Sequence, residues 1–194
     1  MRLRVALPLL AVLLAGLWLW RHELFVVWPG THPQPLALRR EAERTPLALD
    51  VALPAVPEGI QRLTSADGPM VLHYWAPWEL HARAQVRSLD SLRRETDLTG
   101  LKIVVVCFDP FPSVTRYVTR QRLRLPVLLD GPGELRRRLP CPSLPYTYAI
   151  DRAGRIAVAQ GGEVDWWSAE SRLALHRLLA EPPPAPPKGA GTNL

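Results

Sequence analysis

Between residues 70 and 180 two hydrophobic periods alternate along the chain. Met70-Val71-Leu72-His73-Tyr74-Trp75 is a nearly unbroken apolar run and predicts a buried strand. From Glu79 to about Thr96 the spacing turns helical, with Val86, Leu89 and Leu92 on the inner side and a stop near Gly100. Leu101 to Phe108 is β-branched and apolar, bounded by Asp109-Pro110, and predicts a central strand. Ser113 offers a cap for a second helix through Leu123, with Val114, Tyr117 and Val118 inward. Pro126 to Leu129 predicts a short strand, and Glu134 to Leu139 a basic helix before a proline-rich corner. Thr147 to Ile150 and Ile156 to Ala159 flank Asp151-Arg152-Ala153-Gly154, which predicts a hairpin turn. A last helix, about Ser168 to Ala180, presents Leu173, Leu175, Leu178 and Leu179. Strands and helices in this alternation predict an α/β fold whose sheet is covered by helices on both faces.

The ends of the chain read differently. Arg2 and Arg4 precede sixteen uncharged residues, Val5 to Trp20, before Arg21 and His22. Sixteen helical residues reach ~24 Å against a hydrocarbon core of ~30 Å, so Arg4 and Arg21 would snorkel with Trp18, Trp20 and Trp28 at the interface. Residues 1–28 are therefore expected to be a transmembrane anchor. The competing reading is a cleaved signal peptide, but Leu17-Trp18-Leu19-Trp20 stands where small cleavage-site residues belong. The basic N-terminus favours a cytoplasmic start, which puts the rest on the periplasmic or extracytoplasmic side of a bacterial-type inner membrane. Residues 29–48 carry four prolines and a charged cluster without an apolar period, and are expected to be a linker. Residues 49–181 form the predicted domain, and 182–194, with five prolines, a disordered tail.

At 194 residues and 47% hydrophobic composition the chain supports one core of ordinary size. The net charge of +6 suits nucleic acid, an anionic membrane or solubility alike, and the expected extracytoplasmic place excludes nucleic acid as a partner. Arg116, Arg120, Arg122, Arg124 and Arg136 to Arg138 read as solvated faces, or as a surface resting on anionic lipid. Two cysteines, Cys107 and Cys141, exclude a disulfide-dense scaffold and a four-thiolate zinc site.

Trp75-Ala76-Pro77-Trp78 opening a helix resembles the thioredoxin superfamily, and more closely its membrane-anchored TlpA/ResA-like redoxin branch. Val104-Val105-Val106-Cys107-Phe108-Asp109, Pro126-Val127-Leu128-Leu129-Asp130 and Leu144-Pro145-Tyr146-Thr147 extend the match in order. Asp151-Arg152-Ala153-Gly154-Arg155-Ile156 and Gly162-Glu163-Val164-Asp165-Trp166 complete it, so the likeness covers about residues 50 to 180. It implies a thioredoxin-like fold, with a cysteine pair directly after the second tryptophan. Here Glu79-Leu80-His81-Ala82 fills those four positions, so the thiolate that attacks a disulfide is missing. His73 falls where thioredoxins often bury a carboxylate, and Pro145 matches the family's cis-proline beside the active site. The resemblance therefore implies a groove at Trp78, Leu144 and Pro145 for an extended polypeptide.

Each candidate also has a plainer reading. Glu79 suits any helix start, and His73 any hydrogen-bonded core position. Glu79 and His81 are only two ligands, so neither a metal nor a cofactor is expected. The resemblance brings Cys107 and Cys141 toward the same end of the sheet, which leaves open a mutual disulfide or two free thiols. The expected function is a binding or assembly module in redox or metalloprotein maturation. Its rivals are a thiol-disulfide oxidoreductase or peroxidase using Cys141 and Cys107, and a structural subunit of a membrane complex.

Overall fold

In the computed structural model, residues 32–109 and 111–182 are described, and eight strands join in one mixed sheet. The strands are β1 (Thr45–Pro46), β2 (Asp50–Val56), β3 (Ile60–Thr64), β4 (Met70–Tyr74), β5 (Lys102–Cys107), β6 (Val127–Leu129), β7 (Tyr146–Ile150) and β8 (Arg155–Gly161). Their order across the sheet is β1-β8-β7-β4-β5-β6-β2-β3. Only β4, β5 and β6 run parallel to one another, with Tyr74 opposite Val106 and Val106 opposite Leu128. The helices are α1 (Leu80–Leu92), α2 (Phe111–Gln121) and α3 (Ala169–Ala180).

The two parallel crossovers, β4-α1-β5 and β5-α2-β6, step in the same direction across the sheet. Right-handed crossovers must then lay α1 and α2 on the same face. The packing agrees: Val71, Trp75, Ile103, Val105, Cys107 and Val127 share one core cluster with Val86 and Leu89 of α1, Val114 of α2 and Leu175 and Leu178 of α3. Alternate strand residues point the other way. Met70, Leu72, Tyr74, Val104, Val106 and Leu128 form a second cluster with Val51 and Leu53 of β2, Leu63 of β3, and Leu135 and Leu139.

The expectation of helices on both faces is thus corrected. Among the described residues all three α-helices pack on one face. Residues 134–139 form a series of turns rather than a helix, held where the Asp130 carboxylate accepts from the backbone N–H groups of Leu135 and Arg136 at 3.1 and 2.9 Å. Their leucines still cover the second face, and the Tyr74 hydroxyl donates to the Leu139 carbonyl at 3.0 Å. Three smaller departures follow. Helix α2 starts at Phe111, ahead of Ser113; Leu173 is half exposed on the outer side of α3; and the hairpin β2–β3 lies where no element was expected.

The linker expected over 29–48 is also corrected, because from Gln34 onward that stretch belongs to the domain. Gln34 bridges Val164 in parallel, Leu36 is 4% exposed within the helix-side core, and β1 pairs with β8. The buried Arg44 guanidinium reaches Asp151 at 2.9 Å and Glu181 at 2.6 Å. Burial alone would raise the Asp151 carboxyl, but hydrogen bonds from the Arg155 backbone and from the Arg44 and Arg155 guanidiniums hold it below the usual carboxylate value. A low apolar content hid this strap, since its hold on the domain is mostly polar.

The expected anchor over 1–28 lies outside the described residues, as does the tail beyond Pro182. Among the described residues no helix is long and apolar enough to cross a membrane.

Candidate functional site

Strand register brings the candidate residues to one end of the sheet. Tyr74 pairs with Tyr146, and Tyr146 with Gly161, so the loop after β4, the Leu144-Pro145 approach to β7 and the exit from β8 are neighbours. Trp75 continues the parallel ladder, its N–H donating to the Val106 carbonyl at 3.0 Å. The Leu144-Pro145 bond is cis, and the Pro145 carbonyl accepts from the Gly162 N–H at 2.9 Å. Among the described residues the backbone groups of Leu144 make no hydrogen bond to another backbone group.

Helix α1 begins at this end, where Glu79 is its N-cap in an extended conformation. The Glu79 carboxylate accepts from the His81 N–H at 3.2 Å and from the Ala82 N–H. Those free N–H groups, with the helix dipole, would stabilise a thiolate; here a carboxylate of the chain itself takes them. His81 is mostly exposed and its Nδ1 contacts the Glu163 carboxylate just past β8. Leu80 and Trp78 project outward, 71% and 63% exposed, while Ala82 is fully buried. The Trp78 indole donates to Asp109 at 3.3 Å, tying the loop to the end of β5. Gln85, one turn into α1, accepts from the Val164 N–H at 3.1 Å and from the Trp166 indole at 2.6 Å, fixing the segment after β8.

Below the loop His73 is fully buried. Its Nδ1 lies 2.9 Å from the Thr147 hydroxyl, its ring meets Trp166 edge-on at 6.1 Å, and its Nε2 has no partner. Desolvation pushes its pKa down to about 3, so the imidazole is neutral across the physiological range. It supplies neither a charge nor a mobile proton to the site above.

The two sulfurs are not brought together as a pair. Cys107 belongs to the helix-side core, whereas Cys141 packs against the opposite cluster with the sheet between them, and both are free thiols. Burial pushes Cys107 up to about 12 and Cys141 to about 11, the reverse of what a nucleophilic thiol requires. The Cys141 thiol donates to the Ser143 carbonyl at 3.1 Å.

Beside Trp78 the surface opens into a groove of about 590 Å³ between the β4–α1 loop and the first turns of α2. Pro77, Trp78, Arg83, Asp109, Ser113 and Arg116 line it. Sequence reasoning anticipated Trp78 here, but not Arg83, Asp109 or Glu163. Glu163 stands 82 residues from the histidine it meets, and nothing local in sequence announces such a pair. No group of three or more potential metal ligands occurs among the described residues.

Comparison with solved structures finds this fold repeatedly. A protein described as the thiol:disulfide interchange protein DsbE from Chlorobium tepidum superposes with a TM-score of 0.63 at 19% identity, over 71% of this chain and 98% of its own. StoA from Bacillus subtilis gives 0.57 at 16% identity, covering 68% and 98% of the two chains. The exposed lipoprotein thioredoxin Etrx1 from Streptococcus pneumoniae gives 0.55 at 22%, covering 67% and 98%. No curated protein sequence matches significantly. At these identities the structural likeness establishes a thioredoxin-like fold, and the family rests on sequence. Residues 47–159, more than half of the chain, match the AhpC/TSA family, and the chain belongs to that family.

Proposed function

We propose that this protein is a non-catalytic binding or assembly module. It holds an extended polypeptide at the end of the sheet marked by Trp78, Leu144 and Pro145, in the service of redox or metalloprotein maturation. The carrying observation is Glu79, whose carboxylate occupies the helix N–H groups that a reactive thiolate would need. The two thiols of the chain do not replace it, being on opposite faces and weakly acidic. The adjoining features favour recognition: an exposed indole, an exposed leucine and backbone groups at Leu144 that no other backbone group takes up suit pairing with an extended chain. The sequence pattern of residues 1–28 supports attachment to a membrane, with the domain on its extracytoplasmic side.

The test has two arms. Insulin reduction and peroxide consumption by the full chain should not exceed a buffer control, and turnover abolished by Cys141→Ser would overthrow the proposal. In parallel, a neutral unfolded polypeptide with amide-blocked cysteines should bind, and Trp78→Ala should weaken that binding roughly tenfold, the scale of a buried aromatic anchor.

A further inference from the structure

We infer that the groove between Trp78 and helix α2 takes acidic side chains, so that the polypeptide held at this end of the sheet is an acidic one. The inference rests on the binding reading above and adds the chemistry of the partner. Arg83 and Arg116 line the groove, and among the described residues neither forms an ion pair. Asp109 is the single acid in the lining, and one of its oxygens is already engaged by the Trp78 indole.

Arg83 is held in place, while Arg116 stands exposed at the groove's edge. Arg83 Nε donates to the Pro77 carbonyl, and its guanidinium lies 5.8 Å over the Tyr117 ring, leaving its terminal nitrogens for another acceptor. Tyr117 packs in turn on Trp75 with centroids 4.9 Å apart, and both the Tyr117 hydroxyl and the Trp75 indole nitrogen are buried without a partner. Such atoms are normally satisfied, so two unmet polar atoms behind Arg83 mark an incompletely paired place.

The surroundings extend the same sign. Helix α2 carries no acidic residue, and exposed Arg120 follows Arg116 by one turn; on α1, exposed Arg87 follows Arg83 in the same way. The only acid of α1, Asp90, is buried and accepts from the backbone N–H groups of Arg124 and Leu125 at 2.8 and 2.9 Å. The two helices therefore present cations toward an occupant, and the one acid beside them in the groove is Asp109, whose second carboxylate oxygen is buried without a partner. Guanidinium groups recognise carboxylates through paired hydrogen bonds, and the exposed Trp78 ring supplies an apolar wall beside them.

Binding is read on the full chain in a non-ionic detergent from tryptophan fluorescence, with a short glutamate-rich peptide and its glutamine counterpart of equal length. The glutamate peptide should bind roughly tenfold more tightly, the scale of one charge-assisted hydrogen bond, and lose that advantage at high salt. Arg116→Glu should abolish the preference and Arg116→Lys should keep most of it, with circular dichroism unchanged in both. Equal binding of the two peptides would overturn the inference while leaving the binding module standing. Binding of neither would defeat both. Capture of phosphatidylglycerol vesicles, lost in Arg116→Glu, with no peptide preference would also overturn it and assign the cations to a lipid surface.

Discussion

At the scale of single residues, His73 has the most direct consequence in solution. A buried imidazole whose pKa has fallen to about 3 binds fewer protons than the unfolded chain at any pH between that value and about 6.5. Stability therefore rises with pH through this window, and acidification from 6.5 downward destabilises the fold by at most about 1.4 kcal/mol per pH unit from this group. Below about pH 3 the contribution stops changing. His73→Gln keeps a partner for the Thr147 hydroxyl and removes the titration. Urea unfolding of the two proteins from pH 7 to pH 4 should show the wild type losing more stability on the acid side. Parallel pH profiles would mean that His73 is hydrated and charged rather than sealed beneath Trp166.

At the scale of elements the N-terminal strap is the feature most open to test. The Arg44 side chain is almost fully buried between Asp151 and Glu181, and its loss would leave the Asp151 carboxylate, itself inaccessible, with Arg155 as its one cation beside the backbone N–H groups of Ala153 and Arg155. Removing one member of a buried pair costs ~3–5 kcal/mol, and the surviving Arg155 contact puts Arg44→Met near the lower figure. The denaturation midpoint should fall with an unchanged denaturant slope. A loss below about 1 kcal/mol would show the strap to be a surface ornament. This strap also marks where sequence reading stopped. The buried strands β4 and β5 and the helix α1 were legible because their apolar spacing is sustained. The strap has Leu36 and the partly buried Leu38 and Leu47 to show for its packing, without a regular period, and it is fastened by ion pairs to residues more than a hundred positions away. The hairpin β2–β3 carries an alternating pattern at Val51, Leu53 and Leu63, but Pro54 and Pro57 interrupt it, and prolines argue against an inner strand. Residues 134–139 have a helical composition, yet Gly133 takes a left-handed φ of 74° and Asp130 captures the following N–H groups, so the segment closes as turns. At the site, the replacement of the cysteine pair was readable from four consecutive residues, whereas the contact of His81 with Glu163 and the place of Arg83 depend on strands meeting across the sheet.

At the scale of the whole molecule, the fold and the chemistry are separable, and the separation can be measured. The scaffold keeps what stabilises a thiolate in a thioredoxin-like domain: a helix of thirteen residues beginning at the end of a central strand, with its first N–H groups directed at position 79. The cis Leu144-Pro145 turn stands across the loop at the neighbouring strand end. If only sulfur is absent, the combined substitution Glu79→Cys and Ala82→Cys should restore exchange. The Cys introduced for Glu79 would inherit the N-cap position, and its pKa should fall below the ~8.5 of a free thiol. Insulin reduction should rise clearly above the background of the parent chain, and alkylation of the introduced thiol should report the lowered pKa. The cost is modest, since an N-cap acid exchanged for a weaker cap loses ~1 kcal/mol. Ala82 is fully buried, so a sulfur there must find room beneath the loop, and an unchanged circular dichroism spectrum is the control for that. A folded double variant with an unperturbed thiol and no turnover would mean that the neutral His73 and the basic groove have remade the site for holding a partner rather than merely deleting its nucleophile.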